Sequence, residues 1–460
     1  MASPQYQVVD PSTGKVEQTF ETATDTEVEA ALASSHEAFT AWKDVPIEER
    51  ATIVKRVAAL FIERKDELGA ICTAEMGKPL SEAVGEAEFS GEIFDYFATE
   101  GPGLAADQPI TTFAGGSAVV QKLPVGSLLG IMPWNYPFYQ VARFAAPNLM
   151  LGNTVILKHA ESVPRSALAI QQLMDDAGVP AGAYVNLFAD HDQIETIIAD
   201  PRIQGVSLTG SERAGAVVAA LAGKNLKKCV LELGGSDPYI VLDSDDVPAA
   251  ADTAWETRIG NVGQACNSNK RMIVMDDVFG DFVARLTERA KDLSPGDPAA
   301  ENDGEFAPLS SRKAAETLDE QVQDAVSKGA TLHAGGVLSD GPAAYYSPAV
   351  LTGVTEGMRA FREELFGPVA VVYSVSSDDE ALALANDSAY GLGGAVFSTD
   401  PARARAVAQR LEVGMANVNT PAGEGAEIPF GGVKRSGFGR ELGPLGMDEF
   451  VNKRMFFVGE

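Results

Sequence analysis

Cysteine and histidine are scarce in this sequence. The three cysteines, Cys72, Cys229 and Cys266, are too few and too scattered to form a disulfide framework, so a reducing cytoplasm is the expected compartment. The four histidines, at 36, 159, 191 and 333, have no ligand spacing to the cysteines, so no metal centre is expected. No apolar run approaches the ~18 residues a membrane span needs, and no basic segment followed by an apolar core opens the chain, so neither a membrane anchor nor a signal peptide is expected. Positive charge is also in short supply: 36 Lys and Arg stand against 65 Asp and Glu, a net charge of −29. That excess argues against nucleic-acid partners and anionic membranes; it bears on solubility and not on fold. There is no internal repeat and no low-complexity segment. The Gly-x-Gly-x-x-Gly dinucleotide fingerprint and the Gly-x-x-x-x-Gly-Lys-Ser/Thr phosphate loop are both missing. Gly391-Leu392-Gly393-Gly394 runs into Ala-Val-Phe, which reads as strand.

What remains is an ordinary globular composition, 45% hydrophobic and 22% charged over 460 residues, long enough for two or three domains. Residues 24–100 read mostly as amphipathic helix. Strands are predicted at 117–123 and 125–132, and from there strands and helices alternate. Strands fall at 154–158, 184–188, 205–209 and 229–233, with helices at 164–176, 191–199 and 210–221. This rhythm predicts a doubly wound parallel sheet that binds a nucleotide at the carboxyl ends of its strands. A second α/β run follows a break near Gly234-Gly235. Its strands are predicted at 239–242, 271–275, 369–375 and 395–398, and its helices at 246–258, 278–292, 311–328, 377–387 and 401–411.

Within this frame a few segments carry chemistry. Cys266, in Gly263-Gln264-Ala265-Cys266-Asn267-Ser268, is a candidate nucleophile; free Cys has a pKa of about 8.5, so it needs a lowered pKa or a base nearby. Pro133-Trp134-Asn135-Tyr136-Pro137 is a stiff turn whose Asn135 amide is a candidate oxyanion donor, or else a turn that merely packs. Glu232, between apolar neighbours at a strand end, reads as a partly buried base or as a solvent-facing carboxylate. Thr209-Gly210-Ser211, with Gly215 beyond, opens a helix and reads as a pyrophosphate site or as an ordinary N-cap. Lys158 and Glu161 end a strand, where ligands gather, or form a solvated charged loop. Glu364-Leu365-Phe366-Gly367-Pro368 is a further acid-plus-aromatic turn.

Taken together, these segments resemble the aldehyde dehydrogenase superfamily, in the right order across nearly the whole chain. Glu232-Leu233-Gly234-Gly235 and Pro429-Phe430-Gly431-Gly432, with Lys434, Ser436 and Gly437, complete the match. The resemblance implies that Cys266 attacks an aldehyde carbon and that Asn135 and the Cys266 N–H hold the oxyanion. Glu232 then activates the water that releases the acid. Cofactor contacts are implied for Pro133, Trp134, Thr209, Gly210, Gly215, Leu233 and Phe366, for Ser211 at the pyrophosphate, for Lys158 and Glu161 at the adenosine ribose, and for Glu364 at the nicotinamide ribose. The implied fold is α/β: a doubly wound nucleotide-binding domain (1–103 and 124–233), an α/β catalytic domain (234–432), and a small β oligomerisation arm with the C-terminal tail (104–123 and 433–460). A homodimer or homotetramer is expected, because unpaired apolar strands at a terminus invite pairing.

Glu161 favours NAD over NADP, since a carboxylate there accepts both ribose hydroxyls and repels a 2′-phosphate; NADP-using relatives tend to carry a small hydroxyl residue at this place. Arg143, eight residues after Asn135, shares a helix face with it if the helix begins early. It suits a substrate carboxylate and resembles the succinate-semialdehyde dehydrogenase branch, so succinate semialdehyde is the expected aldehyde. A second substrate Arg has no match: its place is Gly260, and the nearest candidate is Arg258. Glu424 stands where a Ser often assists the carboxylate. It points instead to an aminoaldehyde, and a short hydroxyaldehyde is a further alternative. Rival classes are a cysteine hydrolase, for which no His motif exists, a CoA-acylating enzyme, which Glu232 disfavours, and a non-enzymatic scaffold.

Overall fold

Short Val- and Ile-rich strands with no alternation of apolar and polar positions have to be covered on both faces, which is the signature of parallel sheet. The computed structural model describes residues 6–113, 115–300 and 302–459, and two such sheets organise it. The first has six strands in the order Gly437–Phe438, Lys228–Glu232, Ile203–Thr209, Ser127–Met132, Thr154–His159 and Tyr184–Asn186, all parallel except the first. Every residue of Thr154–His159 is buried. The second has seven strands in the order Thr331–Ala334, Ala349–Thr352, Val369–Val375, Arg271–Met275, Pro238–Val241, Gly393–Phe397 and Met415–Val418, with only Thr331–Ala334 antiparallel. Helices Ile47–Glu63, Lys65–Met76 and Leu80–Leu104 pack with helix Tyr139–Leu151 to give a core that includes Phe61, Phe94, Phe97, Phe138 and Phe144, while Asp25–Trp42 places Val28, Ala31 and Leu32 in a separate core with Leu129 and Ile156 of the first sheet.

The break at Gly234-Gly235 falls between strand Lys228–Glu232 of one sheet and Pro238–Val241 of the other. Its position sets up the site. Segments leaving the carboxyl ends of the first sheet (Glu232, the turn after Met132, Thr209) meet segments entering the amino ends of the second (Ser236 before Pro238, Lys270 before Arg271, Pro368 before Val369). In the first sheet, Ser127–Met132 lies between Thr154–His159 and Ile203–Thr209, which makes the carboxyl end of Ser127–Met132 the point where strand order reverses and where a crevice opens.

Three sequence expectations need correction. Helix Tyr139–Leu151 starts after Pro137, so Asn135 lies on the preceding turn and does not share a helix face with Arg143. The tail is not all arm. Gly437–Phe438 closes the edge of the first sheet, and helix Gly443–Met447 packs on Tyr139–Leu151. Only Val451–Val458 joins Ser117–Pro124 and Gln108–Ile110 in a separate antiparallel three-stranded sheet. Finally, the helix expected from Gly210 starts at Glu212, because Ser211 is its N-cap and accepts the Ala214 N–H. Among the described residues no helix is long and apolar enough to cross a membrane.

The root of the three-stranded sheet hangs on one side chain. Asn153 is fully buried; its Oδ1 accepts the N–H groups of Val125 at 2.7 Å and Gly126 at 3.1 Å. Its Nδ2 donates to Asn148 Oδ1 at 3.0 Å and to Phe450 O at 2.8 Å. Asn153→Ala strips partners from several buried backbone groups and should lower the unfolding free energy by about 3 kcal/mol, measured by urea denaturation with unchanged slope.

Candidate active site

Two loops far apart in sequence meet around Cys266. The first, 133–138, leaves the carboxyl end of strand Ser127–Met132; the second, 260–270, leads into Arg271–Met275. Asn135 Nδ2 donates to Gln264 O at 3.0 Å, and Asn261 Nδ2 donates to Asn135 O at 2.8 Å. The first of these bonds uses one of the two Asn135 amide hydrogens, and the residue is only 4% exposed. The nucleophile loop is bent by left-handed backbone at Asn261 and Val262, with φ of 51° and 55°. It closes so tightly at Gly263 (φ 73°) that a Cβ would lie 2.3 Å from Gly367 O, which only glycine permits.

The first loop is anchored from below by a buried ion pair. Lys78 and Glu86 are in direct contact, with side chains 0% and 2% exposed. The other carboxylate oxygen of Glu86 accepts the N–H groups of Phe138 at 2.8 Å and Tyr139 at 3.2 Å, which places negative charge at the start of helix Tyr139–Leu151. The Lys78 ammonium also sits 3.7 Å from the centroid of the Tyr136 ring.

Cys266 is partly exposed at the floor of a cleft of about 640 Å³ whose walls include Tyr136, Tyr139, Gln140, Phe430, Arg440 and Glu424. Burial pushes its thiol up to about 11, against the pull of the Arg143 and Lys270 charges. Glu232 is 2% exposed, and neither of its oxygens has a hydrogen-bond partner among the described residues. Burial, followed by the nearby Glu441 carboxylate, raises its pKa well above the usual range, while Arg143 and Arg440 oppose the shift. Gly431 leaves the space for it, since a Cβ there would lie 2.6 Å from Glu232 Oε1. The region thus holds a thiol, an amide bonded to the thiol's loop, and an unpartnered buried carboxyl, groups of the kind acyl transfer through sulfur uses.

A second group of predicted residues lies along the meeting edges of the sheets. Glu364 Oε1 accepts the Gly235 N–H at 3.1 Å and lies 3.1 Å from Lys270 Nζ. Phe366 packs edge-to-face on Trp134 at 5.8 Å, which joins the Pro133-Trp134 turn to the 364–368 turn. Thr209 carries a buried hydroxyl with no partner among the described residues, beside Gly210, whose N–H donates to Glu232 O at 2.9 Å. A Cβ on Gly215 would lie 2.7 Å from a Leu233 methyl, so this helix presses on Leu233. Lys158 and Glu161 pair with each other; burial would raise the Glu161 carboxyl, but Lys158 outweighs it and holds the pKa below the usual value. The orphaned Thr209 hydroxyl, the helix start at Ser211 and the Glu364 carboxylate fit an extended dinucleotide with two ribose rings. Among the described residues no group of His, Cys, Asp and Glu could hold a metal ion.

Two arginines do not sit where a substrate arginine was expected. Arg143 is 1% exposed. Its Nε lies 2.8 Å from Glu441 Oε2, Gln140 Oε1 accepts from Nη2, and the guanidinium is sandwiched between the Tyr139 and Phe430 rings at 4.6 and 4.4 Å. It therefore reaches the cleft only past two rings and already has a carboxylate partner. Arg258 is fully buried and donates to five acceptors: the carbonyls of Val369, Gly263, Leu365 and Gly367, and the Ser268 hydroxyl. It clamps the Cys266 loop to the 364–369 turn and is closed off from the surface. Sequence reasoning missed Lys270, Arg440, Glu441 and the Lys78–Glu86 pair. A charged residue inside a small-residue run was the available signal for Glu86, whereas Lys270, between Asn269 and Arg271, offered none.

The full length of this arrangement recurs in known proteins. Residues 1–456 match the model of the aldehyde dehydrogenase family. A succinate-semialdehyde dehydrogenase [NADP(+)] of Deinococcus radiodurans is 53% identical over 98% of this chain and 94% of its own length. One from Mycobacterium avium is 40% identical over 98% and 96%. The crystal structure of succinic semialdehyde dehydrogenase from Streptococcus pyogenes in complex with NADP+ superposes with a TM-score of 0.95 at 40% identity, covering 99% of this chain and all of that one.

Truncating Glu86 to Ala leaves the Lys78 charge buried without its partner and should cost about 4 kcal/mol of stability. Glu86→Gln, which keeps an acceptor for the Phe138 N–H, should cost less. Denaturation midpoints of the two variants check the order.

Proposed function

Since the chain belongs to the aldehyde dehydrogenase family, we propose that it oxidises succinate semialdehyde to succinate with a nicotinamide dinucleotide, through Cys266. The reading is carried by Cys266 on the cleft, with support from the Asn135 amide bonded to the loop that bears Cys266 and from the buried, unpartnered Glu232 carboxyl, which feels the same Arg143 charge as Cys266. The Cys266 sulfur, once its proton is removed, attacks the aldehyde carbon and forms a C–S bond. The carbonyl oxygen takes the electron pair and is held by Asn135 Nδ2 and the Cys266 N–H. Glu364 and Phe366 would hold the nicotinamide, which would supply the hydride acceptor needed for that carbon to become a thioester on Cys266. Glu232 then takes a proton from water, the hydroxide adds to the thioester carbon, and the C–S bond breaks to release the acid and restore the sulfur.

The shifts of Cys266 and Glu232 both work against ionisation in the resting site, so the rate should rise with pH through the neutral range, because each group acts in its deprotonated form. Glu232→Gln removes the base for the second half only. It should give a burst of about one reduced dinucleotide per site followed by turnover slowed about a hundredfold or more. Rapid-mixing absorbance measures both phases, and multiple fast turnovers would reject the assignment. Product formation without CoA separates this reaction from acyl transfer to CoA.

For the cofactor, Glu161 supports NAD, although the relatives named above carry NADP(+) in their names. The carboxylate stays charged beside Lys158, and its charge opposes a 2′-phosphate. Wild type should show the higher kcat/KM with NAD, and Glu161→Ser should shift the ratio towards NADP by about tenfold or more. A wild-type preference for NADP would remove the proposal.

For the substrate, Glu424 is an exposed acid on the cleft wall and opposes a carboxylate. Glu424→Gln should therefore raise kcat/KM for succinate semialdehyde by roughly two- to fivefold and leave glycolaldehyde unchanged, as measured on a panel that includes aminobutyraldehyde. Arg143→Ala on the same panel tests whether the buried arginine acts on the carboxylate end. We also infer a homodimer or homotetramer. Strand Val451–Val458 is at the edge of its sheet and exposes Met455, Phe456 and Phe457, each by half or more.

A further inference from the structure

Lys270 is a buried lysine, its side chain 1% exposed, fixed between the two halves of the site. Its Nζ donates to Ala265 O at 2.6 Å and to Cys266 O at 2.8 Å, and lies 3.1 Å from Glu364 Oε1. Its backbone leaves little freedom: Lys270 N donates to Ser268 O at 2.8 Å, and the next residue, Arg271, donates its N–H to Asp237 O at 3.2 Å. One ammonium therefore binds the carbonyl of the nucleophile and the carboxylate assigned to the nicotinamide ribose. Both contacts to Glu364, from Lys270 and from the Gly235 N–H, fall on the same oxygen. The other oxygen lies against Gly234, where a Cβ would come within 2.4 Å of it.

Resting on the assignment of Glu364 to the ribose, we propose that Lys270 is a positioning residue that reports dinucleotide occupancy at Glu364 to the Cys266 loop. Ribose hydroxyls that donate to Glu364 draw its charge away from Lys270. The ammonium then acts more fully on the Cys266 segment, favouring the thiolate and tightening the loop carbonyls around it. The sulfur is thus armed only when a hydride acceptor is in place, which limits idle addition to aldehydes. The charged groups that bear on Cys266 are Arg143 and Lys270, which favour the thiolate, and Glu364 and Asp237, which oppose it. Tyr136 and Tyr139 stand by in neutral form, and Arg258 bonds the same loop at Gly263 O. Burial pushes Asp237 up to about 6, so measurements above pH 7.5 keep its charge constant.

The test is the pH dependence of Cys266 alkylation by iodoacetamide, from pH 7.5 upward, with and without saturating NAD. The readout is the titration midpoint and not the absolute rate, because bound NAD also shields the sulfur. In the wild type NAD should lower the midpoint. In Lys270→Met the midpoint should rise by about one unit, giving about tenfold slower alkylation at a fixed pH below it, and NAD should no longer move it. Lys270→Arg should keep the response. Glu364→Gln, which needs no folding of the lysine variant, should show a low midpoint already without NAD and no further shift. A wild-type response to NAD in either Lys270→Met or Glu364→Gln overturns the proposal. Cys266→Ala separates the two readings: aldehyde oxidation that survives it refutes the role of Cys266 itself, whereas its loss together with an unchanged NAD response in Lys270→Met refutes only the coupling.

Discussion

The site depends on one contact between loops more than a hundred residues apart. Asn135 and Gln264 are joined amide to carbonyl, and Asn261 completes the crosslink by donating to Asn135 O. Without it the carboxyl edge of one sheet and the amino edge of the other would be two surfaces with no defined separation. With it, the amide donor and the nucleophile loop are held in one frame, and the glycines at 234, 235 and 263 let backbone and side chains approach where any Cβ would collide. Preorganisation of this kind is where an acyl-transfer site gains most, because the donors do not have to reorganise as charge develops on the substrate oxygen.

Around this frame lies an unusual density of buried charge, treated in three ways. Lys78 and Glu86, like Arg143 and Glu441, are compensated by a direct partner. Arg258 is compensated by carbonyl dipoles and a hydroxyl alone, and burial drives its pKa down to about 9. Glu232 is left uncompensated. Leaving a buried acid without partners costs stability, and the cost is concentrated at the one carboxyl proposed to exchange a proton with substrate water. The paired charges beside it hold the walls rigid without offering it a permanent hydrogen bond.

Much of this was legible in the sequence. Strands such as Arg271–Met275 and Val369–Val375, and the helix His191–Ala199, announce themselves through apolar runs and capping residues, and the structure places them at the expected residues. The segments around Cys266, Asn135, Glu232 and Glu364 were recognisable because each has an unusual composition. Less visible was helix Tyr139–Leu151, buried on nearly every side, in which apolar periodicity disappears. The fate of Arg143 could not be read either, because its partner Glu441 lies far along the chain and only the fold brings them together. Strands Thr331–Ala334 and Met415–Val418 at the sheet edges are half exposed and too short to show a pattern.

The last stretch of the chain closes the edge of the first sheet with Gly437–Phe438, paired directly to the strand that ends in Glu232, and supplies Glu441 to Arg143. During synthesis Cys266, Asn135 and Glu232 are all made well before this segment. Until it emerges, the strand bearing the base has a bare edge and Arg143 an unanswered charge. The proposed site therefore matures in chain order: its three candidate groups are made first, and the strand and carboxylate that brace them come last.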